Sequence, residues 1–410
     1  MGIASFWQAA TARAAMAAEA RTLAGRALAE ALREARARTR AWTFDLDDAQ
    51  WQVPRQAGVN LVAWELAHLA WFGEFWVLRG PHAVDARGLV QASAPARIAG
   101  PDALFDSARL AHLARWSAPL PTRDALGARL DAQLDACLEA LDRAAADDEA
   151  QYFHRLVLFH EDMHDEAFAW SRATLGYPAP AGMADLPRLA QAPAIALPAA
   201  TATIGWPAAR PGFAFDNERD AHEVALDAFE VDATPVTAGH YLRFVEAGGY
   251  DDPAFWPGEA GRWRATHPHG HPARWRLVAQ EWEHRWFDRW LPLDPAQPVL
   301  HVSAWEAEAY ARWAGRRLPR AAEWEHAAAT QARFTWGGSV WEWTADTFLP
   351  YPGFAPGPYR DYSAPWFGDH RELRGGAFAT HARLHDVRYR NFFQPGRTDV
   401  FAGFRTAASP

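Results

Sequence analysis

Residues 149–176 read EAQYFHRLVLFHEDMHDEAFAWSRATLG. Apolar residues recur there every three or four positions and Gly176 closes the run, so the stretch predicts one long amphipathic helix. Within it, HEDMH at 160–164 sets two histidines at i and i+4. Both imidazoles then leave one helical face and can reach one metal ion. The string also matches H-E-x-x-H, the zinc-protease pattern in which the glutamate is the general base. A match with two free positions also arises by chance, on helices whose histidines simply face water.

Three further helical runs lie upstream. Residues 9–42 are rich in Ala, Leu, Arg and Glu, the strong helix formers, and read as a single helix. NLVAWELAHLAWFGEFWVLRG at 60–80 is the next, and DALGARLDAQLDACLEALDRAAA at 124–146 the third. Four long helices with apolar stripes predict an all-α four-helix bundle over residues 1–177. His68 sits in the middle of the second run, among apolar neighbours. A lone histidine there is ordinarily a satisfied core residue, but metal sites in bundles are built from facing helices. Together with His160 and His164 it makes a three-imidazole set that suits Fe(II), Zn(II) or another imidazole-binding metal. Glu65, Glu161 and Asp165 are the expected partners for the outer ring nitrogens. His154 lies off the i/i+4 face and is left out.

Residues 178–200 are rich in proline and alanine and read as a linker. From 201 to 410 the apolar runs shorten and are punctuated by Gly, Pro, Asn and Asp. Short strands are expected at ATIGW (202–206), HEVALDAFEVDATPV (222–236), RFTWGG (333–338) and ELRGGAF (372–378), with helices at 237–248 and 303–315. This is an α+β domain with much loop and no internal repeat. Its arginines Arg374 and Arg405 are expected to pair with buried acids such as Glu342.

The bulk numbers agree with a two-domain globular chain: 410 residues exceed one ordinary core. A net charge of −9, with no basic face, argues against nucleic-acid binding. The single cysteine, Cys137, rules out an internal disulfide framework, a zinc ribbon or a cysteine-pair redox site, and reads as an ordinary core residue. The start, MGIASFWQ, carries neither a secretory leader nor a membrane span, and Phe6 breaks the acylation pattern, so a cytoplasmic location is expected. The 22 tryptophans suggest an irregular, aromatic-walled domain.

RLPRAAEWEHAA (317–328), GSVWEWTAD (338–346), LRGGAF (373–378) and AGFR (402–405) resemble the formylglycine-generating-enzyme fold, which is related to C-type lectins. The His68 helix and HEDMH resemble the DinB-like bundle. In this order, the two resemble the iron-dependent sulfoxide synthases of ergothioneine biosynthesis. The resemblance implies an Fe(II) ion on His68, His160 and His164, O2 as oxidant, and hercynine (Nα-trimethylhistidine) as the substrate whose imidazole C2 gains a chalcogen. It lowers the zinc-protease reading, and the absence of cysteine from the second domain excludes formylglycine generation. It also implies a substrate pocket at Asn391, Phe392, Phe393 and Arg397, with Tyr351 as the active-site tyrosine and Tyr359 and Tyr362 as its rivals. Asn391 keeps an amide for hercynine. Phe392 keeps an aromatic wall for a trimethylammonium group that has no proton to donate. Phe393 stands where the family carries an acid that holds the amino end of γ-glutamylcysteine. That departure resembles the selenoneine synthase branch, in which a selenosugar is the donor, with Arg79, Arg97, Gln394 and Arg397 as candidate sugar contacts. A thiol donor (γ-glutamylcysteine, cysteine or a thiosugar) is the alternative, and a metal-free lectin-like binding module is a third.

Overall fold

The computed structural model describes residues 3–409, with side chains from residue 12 onward; the first two residues of the amino-terminal acylation pattern lie outside the described residues. The helical half contains α1 (Ile3–Ala20), α2 (Gly25–Thr43), the single turn α3 (Asp48–Trp51), α4 (Val62–Gly73), the turn α5 (Asp102–Phe105), α6 (Arg123–Arg143) and α7 (Asp148–Leu175). A small antiparallel hairpin, β1 (His82–Val84) with β2 (Val90–Ala92), lies between α4 and α5. Helices α2, α4, α6 and α7 form the bundle, α2 packing on α7 and α4 on α6.

Helix α7 is set by its ends. The Asp147 side chain accepts from Ala150 N, and Gly176 takes a left-handed φ of 71°, a conformation that favours glycine. Helix α4 is buried on almost every face and runs into a π-helical turn at Glu74–Leu78. There the Glu74 carboxylate accepts from the backbone N–H groups of Arg97, Ile98 and Ala99 at 2.6, 3.0 and 2.7 Å, tying the π turn to the loop before α5.

The run read as one helix over 9–42 breaks at residues 21–24. Arg155 of α7 donates to the carbonyls of Leu23 and Thr22, at 2.7 and 3.1 Å, and satisfies the broken ladder. Helix α1 is thereby freed from the bundle and packs on the turn Ala382–Leu384 of the carboxy-terminal half. Arg21 at the break is fully buried and grips Glu218 through two bonds of 2.7 and 2.8 Å.

The second half is α+β with much loop, as the sequence predicts. Strand β3 (Ile195–Leu197) forms inside the segment read as linker and pairs with β6 (Phe229–Val231), which also pairs with β14 (Ala407–Ala408). Strands β4 (Ala200–Ile204) and β5 (His222–Leu226) form a ribbon. Helices α8 (Ala238–Glu246) and α9 (Glu259–Thr266) precede a three-stranded meander of β7 (Trp275–Val278), β8 (Glu281–Trp286) and β9 (Arg289–Pro292). Helices α10 (Ala304–Trp313) and α11 (Ala321–Thr330) follow. The main sheet runs β12 (Asn391–Phe393), β11 (Arg371–Arg374), β10 (Trp341–Thr347), β13 (Ala402–Gly403), antiparallel except for the β10–β13 pair. RFTWGG, expected as a strand, is irregular loop.

Buried charges pin this sheet. Arg405 meets Glu342 as expected, and Trp324 Nε1 donates to the same carboxylate at 2.9 Å. Arg374 pairs instead with Glu372 at 2.7 Å and Glu325 at 2.9 Å. Removing one partner of such a pair strands a charge in the core, a loss of about 3–5 kcal/mol. Among the described residues no helix is long and apolar enough to cross a membrane.

Candidate active site

In the sequence HEDMHDE, residues 160–166, three i,i+4 pairs lie on three adjacent faces of α7. The pairs meet different neighbours, except that Arg38 of α2 reaches Asp162 as well as Asp165. Glu161 and Asp165 turn to α2: Glu161 takes Arg36 Nε at 2.6 Å and Thr39 Oγ1 at 2.8 Å, and Asp165 takes Arg38 Nε at 2.8 Å and Thr39 Oγ1 at 2.7 Å. Asp162 and Glu166 turn to the carboxy-terminal half. Arg383 donates to Asp162 through Nε and Nη2 at 2.9 and 2.8 Å, while Trp341 Nε1 and Thr380 Oγ1 each donate to Glu166 at 2.7 Å. The third pair is His160 and His164, which faces His68 of α4.

Two expectations are corrected here. Glu161 and Asp165 are not partners of the histidines, because they point a helical face away. Glu161, the would-be protease base, is already neutralised by Arg36, so no free base of that kind flanks the cluster.

His68, His160 and His164 each bring a ring nitrogen to within 4.8 Å of the others. The Nε2 atoms of His68 and His160 are 3.3 Å apart. His68 Nδ1 lies 2.7 Å from the Phe105 carbonyl, so that nitrogen carries the proton and Nε2 turns a lone pair inward. His164 Nδ1 lies 2.6 Å from Glu65 Oε1, the one anticipated carboxylate partner that the fold delivers. His160 is stacked face to face on Phe72, ring centroids 3.5 Å apart. His68 sits in a ring stack of its own, with Trp64 at 5.1 Å on one side and Trp71 at 5.7 Å on the other. Burial, then the neighbouring His164, holds His68 and His160 well below the ordinary imidazole pKa. Both therefore stay neutral at pH 7, the state a metal ligand requires. The converging ring nitrogens, the neutral His68 and His160 and the fixed tautomer of His68 fit a divalent metal ion.

The cluster opens into a cavity of about 700 Å³ between the two halves. His160 and His164 form its floor. Phe392, Phe393 and Arg397 line it as expected, carried by edge strand β12 and the turn beyond. Phe392 stacks on Phe348 at 4.1 Å, and Phe393 meets Trp170 of α7 edge-on at 5.6 Å. Asn391 does not line the cavity; its side-chain oxygen accepts from Phe392 N at 2.8 Å.

Tyr351, expected as the active-site tyrosine, does not line the cavity. Its hydroxyl accepts from Arg374 Nη2 at 3.0 Å, its ring lies 3.9 Å under the Arg390 guanidinium, and it belongs to the second core, under β4 and β5. Tyr359 takes its place at the cavity wall, its ring 6.1 Å from His160 and 5.0 Å from Phe72. Burial, then the carboxylates of Asp361 and Asp106, raises the Tyr359 phenol above its usual pKa, so it remains protonated. Tyr362 also lines the cavity, but its hydroxyl is 3.2 Å from that of Tyr389, which in turn contacts Met163 Sδ.

Several cavity residues carry no signal in the sequence. Arg115 and Asn60 come from loops flanking α4 and α6, joined by an Nη1–Oδ1 bond of 2.7 Å. Arg115 lies 3.6 Å over Trp64, and burial lowers its pKa to about 10 against the opposing charge of Glu65. Of the sugar candidates, Arg79 is taken by Asp102, at 2.6 Å, and does not line the cavity; nor do Arg97 and Gln394.

Comparison with known proteins agrees with this division. Residues 31–168 match the DinB superfamily, and residues 183–339 and 334–410 match the sulfatase-modifying factor enzyme 1-like domain. The chain is 31% identical over 451 residues to the hercynine oxygenase of Mycolicibacterium smegmatis, covering 94% of this chain and 99% of that one. It is 31% identical to the hercynine oxygenase of Mycobacterium tuberculosis, covering 91% and 97% of the two chains. The formylglycine-generating enzyme of Streptomyces coelicolor is 28% identical over 48% of this chain and 83% of its own length.

Proposed function

Because the chain belongs to the hercynine oxygenase family, we propose that it is an oxidative enzyme acting on hercynine, and that it is a selenoneine synthase holding Fe(II) on His68, His160 and His164. The observation that carries the hercynine half is the three-histidine cluster opening into an aromatic-walled cavity between the two halves. Phe392, Tyr362 and Trp366 offer ring faces to a trimethylammonium group, which can take no hydrogen bond. The donor half rests on Phe393: a phenyl ring gives the amino end of a peptide thiol no carboxylate to pair with, and a selenosugar needs no such partner.

Bound there, Fe(II) would supply open coordination positions and the one-electron chemistry that O2 requires. The rest is assigned to the chain. Arg115 and the aromatic wall hold hercynine, with its imidazole C2 turned to the cluster. Tyr359 holds a proton at its hydroxyl, ready for reduced oxygen. The two halves wall the cavity from either side. Coupling replaces the C2–H bond of hercynine and the Se–H bond of the donor with one C–Se bond, giving up two protons and two electrons. Full reduction of O2 takes four electrons. The other two come from selenium when the product leaves as the selenoxide, with the second oxygen atom and both protons leaving as water.

The test is anaerobic loading with Fe(II), then O2 with hercynine and one donor at a time: selenosugar, thiosugar, γ-glutamylcysteine or cysteine, with products read by mass spectrometry. The selenosugar is expected to give the coupled product much the fastest. Coupling with γ-glutamylcysteine or cysteine instead would make the chain an ergothioneine-type sulfoxide synthase. No coupling by iron-loaded protein would overturn the hercynine assignment itself.

A further inference from the structure

The carboxyl end of α7 gathers two cations and no anion. Arg274, just before β7, and Arg285, on β8, are tied by a bond of 2.8 Å from Arg285 N to the Arg274 carbonyl. Arg285 Nη2 donates to the carbonyls of Ala173 and Thr174, at 2.9 and 3.1 Å, and its Nε is buried without a partner. Arg274 is only 8% exposed; its Nη2 donates to Thr174 Oγ1 at 2.9 Å and its Nη1 to His301 Nε2 at 3.0 Å. That imidazole is neutral. Its Nδ1 donates to the Val400 carbonyl at 3.1 Å, and burial, then the charge of Arg274, holds it well below the ordinary pKa. Every acceptor of the two guanidinium groups is therefore uncharged, and neither group makes an ion pair among the described residues.

Both arginines and His301 line a chamber of about 10 Å³, room for one water or one ion of similar size. Trp275, Leu293 and Leu300 give it apolar walls, and no carboxylate lines it. The two carboxylates whose fields reach it are committed elsewhere, Asp399 to Arg397 and Asp294 to Arg188. The helix offsets only part of the charge: an α-helical C-terminus carries about half a negative charge, against two whole positive ones. Burial, then the like charge of Arg285, lowers the Arg274 pKa to about 9. Buried cations without a counter-charge are costly, and a monatomic anion is the partner that fits the space. We propose that the chamber binds one halide-sized monovalent anion, chloride in ordinary salt, between Arg274 and Arg285. Bound there, it locks the β7–β9 meander onto the last turn of the helix that carries His160 and His164. Sulfate, phosphate and carboxylates are polyatomic and too large to enter.

The test compares thermal melts of the full chain in sodium chloride and in sodium gluconate at equal ionic strength, alongside bromide-soaked crystals read by anomalous diffraction at the bromine edge. Chloride is expected to raise the melting temperature by a few degrees over gluconate, and to saturate, as a ligand of the folded state does. Bromide is expected to give one buried peak between the two guanidinium groups. Arg274→Met removes a charge and is expected to abolish the chloride response, whereas Arg274→Lys keeps part of it. A chamber that is dry or holds a water in the bromide crystals would overturn the proposal, a result that needs no variant. Equal melts in the two salts would overturn it too and make any peak an adventitious ion only. So would a full chloride response in folded Arg274→Met. The site is independent of the hercynine reading, whose failure would leave it standing.

Discussion

His160→Ala is expected to abolish stoichiometric metal binding while leaving the fold in place. The side chain stacks on Phe72 and its Nε2 faces that of His68. Its loss opens a small cavity against Phe72, a penalty of about 1–3 kcal/mol, which a two-domain chain with buried ion pairs on both sides can absorb. The metal fares differently. Removing even a supporting hydrogen bond from a ligand lowers affinity by roughly 10–100-fold, and removing the ligand leaves two imidazoles and no free carboxylate to replace the third, since Glu161 and Asp165 are committed to α2 and Glu65 to His164 Nδ1. Iron content after anaerobic loading and desalting, read beside a thermal melt, checks this. Stoichiometric iron in the variant would refute the ligand set.

Two conservative tyrosine replacements separate chemistry from stability. Tyr359→Phe is expected to lower turnover by about 10²–10⁴-fold, the usual contribution of a positioned proton donor, with little change in melting temperature, since the ring packing on Phe72 and Trp76 survives. Tyr351→Phe is expected to do the reverse. It removes the acceptor of an Arg374 bond in the second core and so destabilises by about 1–3 kcal/mol, while the cavity keeps its lining. Single-turnover rates and melts on the two variants decide the matter. A turnover loss in Tyr351→Phe larger than that in Tyr359→Phe would return the proton to Tyr351.

Which tyrosine lines the cavity was not legible in the sequence, for a physical reason. Residues 348–370 are a loop rich in Pro, Gly and aromatics, with neither a helical nor a strand period to say which ring faces inward. The histidines were legible because two of them obey a helical period and the third lies mid-helix on a facing element. The same period also contained the answer for Glu161 and Asp165, which sit one position, and so about 100°, around the helix from the histidines. The break after Arg21 was hidden because what permits it, Arg155 capping two carbonyls, is 132 and 133 residues away.

The central claim is that hercynine binds beside iron held by three histidines, and spectroscopy can ask this without turnover. The Fe(II)-loaded protein, treated anaerobically with nitric oxide, is expected to give the electron paramagnetic resonance signal of a non-haem iron nitrosyl. Adding hercynine should change the rhombicity of that signal at stoichiometric concentration. An unchanged signal, with hercynine shown by titration to be bound, would mean that the substrate lies elsewhere and that the cavity above His160 and His164 has another use.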